Sequence, residues 1–249
     1  MPKEGIMIEG FSGTQTAGND NLIEGVTVHN NGLSGIHVFS PYDEYPYGAF
    51  GSRNVIRNCT VYRNSDYTGD PTSGGNADGI KISSGDSNRV ENCISYENSD
   101  DGIDAWRSTN TYFGYNISYG NGINNPGHDG NGIKAGGISA ITNGTIVERN
   151  LIYNNLGYGG IIHNNGKDLT FINNTVWNNA NYSIAHSKEV VSRNNIAVGQ
   201  LGPSNPAVAT NNSWQRSGTV EFISTNPSSP DFLRPTVGGG FEDIGVYAQ

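Results

Sequence analysis

Several kinds of residue are scarce in this chain of 249, and each scarcity excludes something. There are only two cysteines, Cys59 and Cys93, too few for a disulfide scaffold or for a zinc site made of clustered thiolates. No run of 18 apolar residues occurs, so no segment reads as a membrane-spanning helix. Runs of Leu, Ala and Glu with a 3.6-residue apolar period are missing, which argues against a helical protein. Basic residues number 14 against 23 acidic ones, a formal net charge of −9, so the basic footprint that nucleic acid requires is absent. The first residues, Met1-Pro-Lys-Glu-Gly-Ile, contain no apolar signal core.

Glycine is abundant, at 35 residues, and asparagine is frequent. With 34% hydrophobic residues and regularly spaced Ile and Val, this composition predicts an ordered, turn-rich chain rather than disorder. The order is that of a repeat. A Gly-Ile pair recurs at Gly5, Gly35, Gly79, Gly102, Gly132 and Gly160, with Ser183-Ile184 as its last variant. A second marker, an Asn or Gly opening a short β-rich run, recurs at Gly25, Asn58, Asn92, Asn116, Asn150, Asn174 and Asn195. In the undecorated repeats the markers lie 10 residues apart and the tightest period is 23 residues.

A period in the low twenties with short β-runs and Gly/Asn turns predicts an all-β chain, a right-handed parallel β-helix of about seven to eight coils. Parallel strands would stack about 4.8 Å apart along the axis, with Ile pointing inward and the alternate residue outward. A propeller would need a longer period, and the signature of a leucine-rich repeat is missing. We read residues 1–249 as one β-helix domain, with regular coils over 1–199 and an irregular last coil and tail over 200–249 punctuated by Phe222, Phe232 and Phe241. Cys59 and Cys93 occupy equivalent repeat positions and would be neighbours on adjacent coils, as a buried thiol pair or as a disulfide.

Three echoes of one phrase stand at the centre: Asn76-Ala-Asp-Gly-Ile-Lys-Ile82, Ser99-Asp-Asp-Gly-Ile-Asp-Ala105 and Gly130-Asn-Gly-Ile-Lys-Ala135. Stacked in register, they bring Asp78 and Asp101 together, with Asp100 beside them and Asp104 projecting from the following strand. Four carboxylates so close raise one another's pKa unless a cation intervenes, and an all-oxygen set suits Ca²⁺ better than Mg²⁺. Each Asp-Gly pair taken singly is also an ordinary turn sequence. Lys134 falls in the register of Asp104 one coil on, placed to act as a base once deprotonated. Lys81 shares that register as a partner for a substrate carboxylate or as a solvated lysine. Arg107 could bind a second carboxylate or lie on the rim, and His128 sits in a loop that could touch substrate. Extra residues at about 65–75 and 120–129 bracket the Asp100–Asp104 coil, and a tyrosine-rich excursion spans Ser40–Phe50. Loops that lengthen around one point of a regular scaffold build a cleft.

The phrases Asn-Ala-Asp-Gly, Asn-Ser-Asp-Asp-Gly-x-Asp and Gly-Asn-Gly-x-Lys resemble those of the family 9 polysaccharide lyases, which include pectate lyases, over roughly residues 50–200. The resemblance implies Asp78, Asp100, Asp101 and Asp104 as Ca²⁺ ligands, and Lys134 as the Brønsted base of β-elimination on a uronic-acid polymer. It also implies a secreted protein from which a signal peptide has been removed. The partner would be an anionic polysaccharide, and the protein a monomer that binds neither nucleic acid nor membrane. A fainter echo, of Asn76-Ala-Asp-Gly with Asp100-Asp101, Gly127-His128 and Ile133-Lys134, resembles the family 28 polygalacturonases, inverting hydrolases that use a carboxylic acid and a carboxylate. A third alternative is a non-catalytic carbohydrate-binding β-helix with a structural Ca²⁺.

Overall fold

The computed structural model describes residues 3–10, 18–40, 50–70, 73–123, 129–137, 142–162, 166–185, 189–202 and 206–248. The described strands are short, three or four residues each, and lie in three parallel sheets of seven, eight and seven strands. Apart from the last pair of the eight-stranded sheet, successive strands of one sheet are separated in sequence by one strand from each of the other two, so the chain winds as the expected β-helix. Among the described residues the one helical segment is a single 3₁₀ turn at Ser213–Gln215.

The repeat markers explain the winding. In the first sheet Ile36, Ile80, Ile103, Ile133, Ile161 and Ile184 stand in register and are fully buried, forming one continuous inner column. Burying each such side chain is worth about 1.5–3 kcal/mol, and only a neighbouring coil can supply the cover. The glycine before each Ile has a packing cause. A Cβ added at Gly102 would overlap Ser118 Oγ, Asn121 Nδ2 and the Gly132 carbonyl of the next coil.

Asparagines close the turns. Asn58 and Asn92 take left-handed backbone angles, φ +55° and +52°, which Asn tolerates better than most residues. Others form buried ladders in which the backbone N–H and Nδ2 of one Asn both donate to Oδ1 of the Asn one coil on. One ladder runs Asn31, Asn64, Asn98, Asn121, Asn155 and Asn179. Outside the third sheet Tyr62, Tyr96, Tyr119 and Tyr153 stack ring on ring at 4.8–4.9 Å. Cys59 and Cys93 are neighbours, both buried and both free thiols.

The final segment packs back on the coils. Phe232 and Leu233 cover Leu151 and Tyr153, and Phe241 and Ile244 pack on Ile196. Trp214 lies against the main core. No described helix is long and apolar enough to cross a membrane.

Candidate functional site

The first sheet carries the charged cluster on its outer face. Its alternate residues form a ladder along the axis: His37 pairs with Lys81, Lys81 with Asp104, and Asp104 with Lys134. Asp78 and Asp101 sit at the turns that lead into two of these strands, each just before the glycine of its coil. The register therefore gathers Asp78, Asp100, Asp101 and Asp104 between two lysines. All four aspartates are buried, with at most 2% of their surface exposed.

Asp78, Asp100 and Asp101 each present an oxygen within 4.8 Å of the others. Lys81 Nζ lies 2.6 Å from Asp78 Oδ2 and 3.6 Å from Asp104 Oδ2. Lys134 Nζ lies 3.1 Å from Asp101 Oδ2 and 4.0 Å from Asp104 Oδ2. Its shortest contact, 2.7 Å, is with Asp129 Oδ2, and it also sits 5.0 Å from the centre of the Trp106 ring. Asp101 Oδ1 accepts hydrogen bonds from the backbone N–H and Nδ2 of Asn131 at 2.7 and 2.8 Å. Among the described residues, Asp78 Oδ1, Asp101 Oδ2 and both oxygens of Asp104 accept no hydrogen bond.

Burial and mutual repulsion dominate the electrostatics. Burial, with the charges of Asp101 and Asp78, raises the Asp100 carboxyl well above its ordinary range. Burial pushes Asp101 up to about 6 against the opposing pull of Lys134. It pushes Asp104 up to about 7, opposed by Lys134 and Lys81. Burial alone would lower both lysines, but Asp78 and Asp104 at Lys81, and Asp101, Asp104 and Asp129 at Lys134, outweigh it and hold the ammonium forms. Four buried carboxylates against two ammoniums thus leave an excess of negative charge. Protons or a cation must balance it.

The cluster opens into a cleft of about 480 Å³ whose lining includes His37, Lys81, Asp100, Arg107, Asp129 and Lys134. Arg107 thus faces the same space as the charged ladder. Lys81 is largely covered, with 17% of its side chain exposed, and bridges two aspartates instead of extending into solvent. His128 and most of the tyrosine-rich excursion, residues 41–49, lie outside the described residues. The insert after Ser65 is tied to the site: Asp66 accepts hydrogen bonds from Asn76 Nδ2 at 3.2 Å and Ser99 Oγ at 3.3 Å.

Asp129, the nearest partner of Lys134, has no counterpart in the repeat phrase. Only its position five residues before the lysine, at the end of an insert, marks it in the sequence. His37 and Ser83 also line the cleft, and repeat reasoning passed over both.

A family model described as "Pel9A-like, right handed beta helix region" matches residues 3–195. The chain is 30% identical over 245 residues to pectate lyase L of Dickeya chrysanthemi, covering 92% of this chain and 55% of that protein. It is 29% identical over 247 residues to pectate lyase L of Paenibacillus polymyxa (strain SC2), covering 90% and 53%. The chain therefore spans about half the length of these curated relatives. Among solved structures it is similar to pectate lyase Pel9A, with a TM-score of 0.69 and 26% identity over 94% of this chain and 63% of that one. It also shares its fold with a rhamnogalacturonan lyase, with a TM-score of 0.72 and 22% identity over 100% and 69%.

Proposed function

The chain belongs to the Pel9A-like right-handed β-helix family, and from that premise we propose that it is a Ca²⁺-dependent polysaccharide lyase. It would cleave a uronic-acid polymer, with pectate as the first candidate, by β-elimination. The curated relatives named pectate lyase L support the reaction class. The observation that carries the site assignment is the set of buried carboxylate oxygens on Asp78, Asp101 and Asp104 that accept no hydrogen bond among the described residues, with Asp100 beside them. An all-oxygen, anionic, solvent-poor donor set fits a hard cation of flexible coordination, which is the chemistry of Ca²⁺. Asp78, Asp100, Asp101 and Asp104 would hold the ion. Bound there, it would supply positive charge that offsets the aspartates holding Lys134 as an ammonium and would polarise a uronate carboxylate.

Lys134 is the base in this reading. Its Nζ lies at the wall of the cleft, fixed by Asp129 on one side and Asp101 on the other. Its neutral amine takes the proton from the carbon α to the uronate carboxylate. The electrons of that C–H bond form a C=C bond, the glycosidic C–O bond at the β-carbon breaks, and the leaving oxygen is protonated by solvent. Asp129 positions the amine and can accept its proton. Lys81 and Arg107 meet substrate carboxylates along the cleft, and the Trp106 ring faces Lys134 Nζ at 5.0 Å. The substrate is an anionic polymer running along the ladder of the first sheet, and a protein acting on such a polymer works outside the cell.

The test is ultraviolet absorbance of the unsaturated uronate product during incubation with polygalacturonate, for the native chain and Lys134→Ala. Absorbance that rises with the native chain and is lost in the variant, with folding retained, supports the reading. Equal rates from the two proteins would remove Lys134 from the chemistry. New reducing ends without that absorbance would mean hydrolysis by a carboxylate pair. Ca²⁺ and polymer binding without cleavage would mean a binding module.

A further inference from the structure

Next to the lysine–aspartate ladder, one coil toward the N-terminus, three side chains from three different turns of the solenoid converge. His37 Nδ1 lies 2.9 Å from Glu4 Oε1, and His37 Nε2 lies 2.5 Å from Ser83 Oγ. Glu4 precedes the strand Ile6–Glu9, His37 is inside Ile36–Phe39, and Ser83 follows Ile80–Ile82, so the contacts span 33 and 46 residues. A carboxylate only accepts hydrogen bonds, so the neutral ring carries its hydrogen on Nδ1, toward Glu4. Nε2 then presents its lone pair to the Ser83 hydroxyl. Ser83 Oγ also lies 3.3 Å from the Val38 carbonyl, a longer and weaker alternative for its hydrogen. His37 is 9% exposed, Ser83 is half-buried, and both line the cleft. Glu4 Oε2 is buried with no hydrogen bond among the described residues, so this carboxylate is oriented by the imidazole.

A hydroxyl donating to an imidazole whose other nitrogen is held by a carboxylate is the arrangement of an activated serine nucleophile. The elimination mechanism uses none of the three. We propose that Ser83, His37 and Glu4 form an acyl-transfer triad that hydrolyses carboxylic esters carried by the polysaccharide bound in this cleft. The identity of that polysaccharide rests on the lyase reading; the ester chemistry does not.

The ester carbonyl carbon is attacked by Ser83 Oγ as its proton passes to His37 Nε2. The C–O bond to the alcohol breaks, and the departing oxygen takes the proton from His37, leaving an acyl-serine. Water, giving its proton to His37, then releases the acid and restores Ser83. Glu4 holds the ring orientation and stabilises the imidazolium. Lys81 and Arg107, lining the same cleft, supply positive charge for the oxyanion of the tetrahedral intermediate. The shared chemistry is an ester on an anionic sugar polymer, either a methyl ester of the uronate or an acetyl ester of a ring hydroxyl. Hydrolysis of the methyl ester exposes the free carboxylate that the neighbouring ladder is built to bind.

The test uses the full chain with methyl-esterified and with acetylated polygalacturonate, reading methanol, acetate and the unsaturated product in the same incubation. In parallel, a fluorophosphonate probe is reacted with the native chain and the modified peptide is mapped by mass spectrometry. The expected result is release of methanol or acetate, which identifies the ester, and a single adduct on Ser83. Ser83→Ala should abolish both signals, and His37→Ala should lower hydrolysis about 10²–10⁴-fold, with thermal unfolding as the folding control. Release of methanol or acetate with no unsaturated product would uphold the triad and overturn the lyase. Unsaturated product with neither released acid nor alcohol, and no adduct on Ser83, would overturn the triad and leave the lyase. Hydrolysis that persists in Ser83→Ala would also overturn it. The adduct on the native chain decides the case even if a variant fails to fold.

Discussion

Removing divalent cations should make this protein's stability fall steeply as pH rises. In the metal-free chain burial raises the Asp104 carboxyl from 3.8 to about 7 and Asp101 from 3.8 to about 6. The folded state therefore keeps protons that the unfolded chain has released. Stability is full below the unfolded value near 4 and is lost as pH rises through 6 to 7. A difference of about three pH units at Asp104 corresponds to about 4 kcal/mol, and about two at Asp101 to about 3 kcal/mol. The two titrate as one cluster with Asp100, so the loss between pH 4.5 and 8 should be about 4–7 kcal/mol. For a chain of this size that is a fall of about 10 °C or more in Tm. The lysines stay charged throughout this range and do not change the sign. A cation binds the ionised carboxylates, so at pH 8 saturating Ca²⁺ should restore about 3–4 kcal/mol at 100–1,000 times its Kd, and at pH 4.5 almost nothing. The assay is denaturant unfolding at both pH values, in EDTA and in excess Ca²⁺. Metal-free stability that rises from pH 4.5 to 8, or a Ca²⁺ effect equal at both, would refute the reasoning.

Four further outcomes follow from the same geometry. Lys134→Arg keeps a cation beside Asp101 and Asp129 but cannot lose its proton, so elimination measured by product absorbance should fall about 10²–10⁴-fold while Tm changes little. Asp129→Asn removes the 2.7 Å partner of Lys134 Nζ and should shift the pH–rate profile to lower pH, because the carboxylate holding the ammonium is gone. Asn98→Ala takes the acceptor from the backbone N–H and Nδ2 of Asn64 and one of two donors from Asn121 Oδ1, and should cost about 1–3 kcal/mol for each buried group stranded, read by denaturant unfolding. Gly102→Ala forces a methyl against Ser118, Asn121 and the Gly132 backbone, and should lower Tm more than the same change at Gly25, where a Cβ meets nothing within 4 Å.

The solenoid was readable in the sequence because its causes are local and recur at every turn. Glycine before each isoleucine follows from the close approach of the next coil, and asparagine at the corners follows from left-handed backbone and a ladder that needs both Oδ1 and Nδ2. The same arithmetic placed Asp104 between the registers of Lys81 and Lys134 and set Asp78 over Asp101. Register does not reveal where flexible side chains go. Lys81 bridges Asp78 and Asp104 because the buried negative charge outweighs its desolvation, a balance visible only once burial is known. Asp129 reaches Lys134 from an insert whose path no repeat dictates. Glu4 and His37 fall in the registers of Asp78 and Lys81, but that their side chains meet each other and Ser83 depends on side-chain direction, which register does not give.

The central claim is elimination by Lys134 beside a cation held by four aspartates, and the mass of the new chain end tests it most directly. Polygalacturonate digested in Ca²⁺ should yield oligomers whose new non-reducing ends are one water lighter than hydrolysis products, and none in excess EDTA. Oligomers of full hydrolytic mass, or light ends formed equally well in EDTA, would contradict the account.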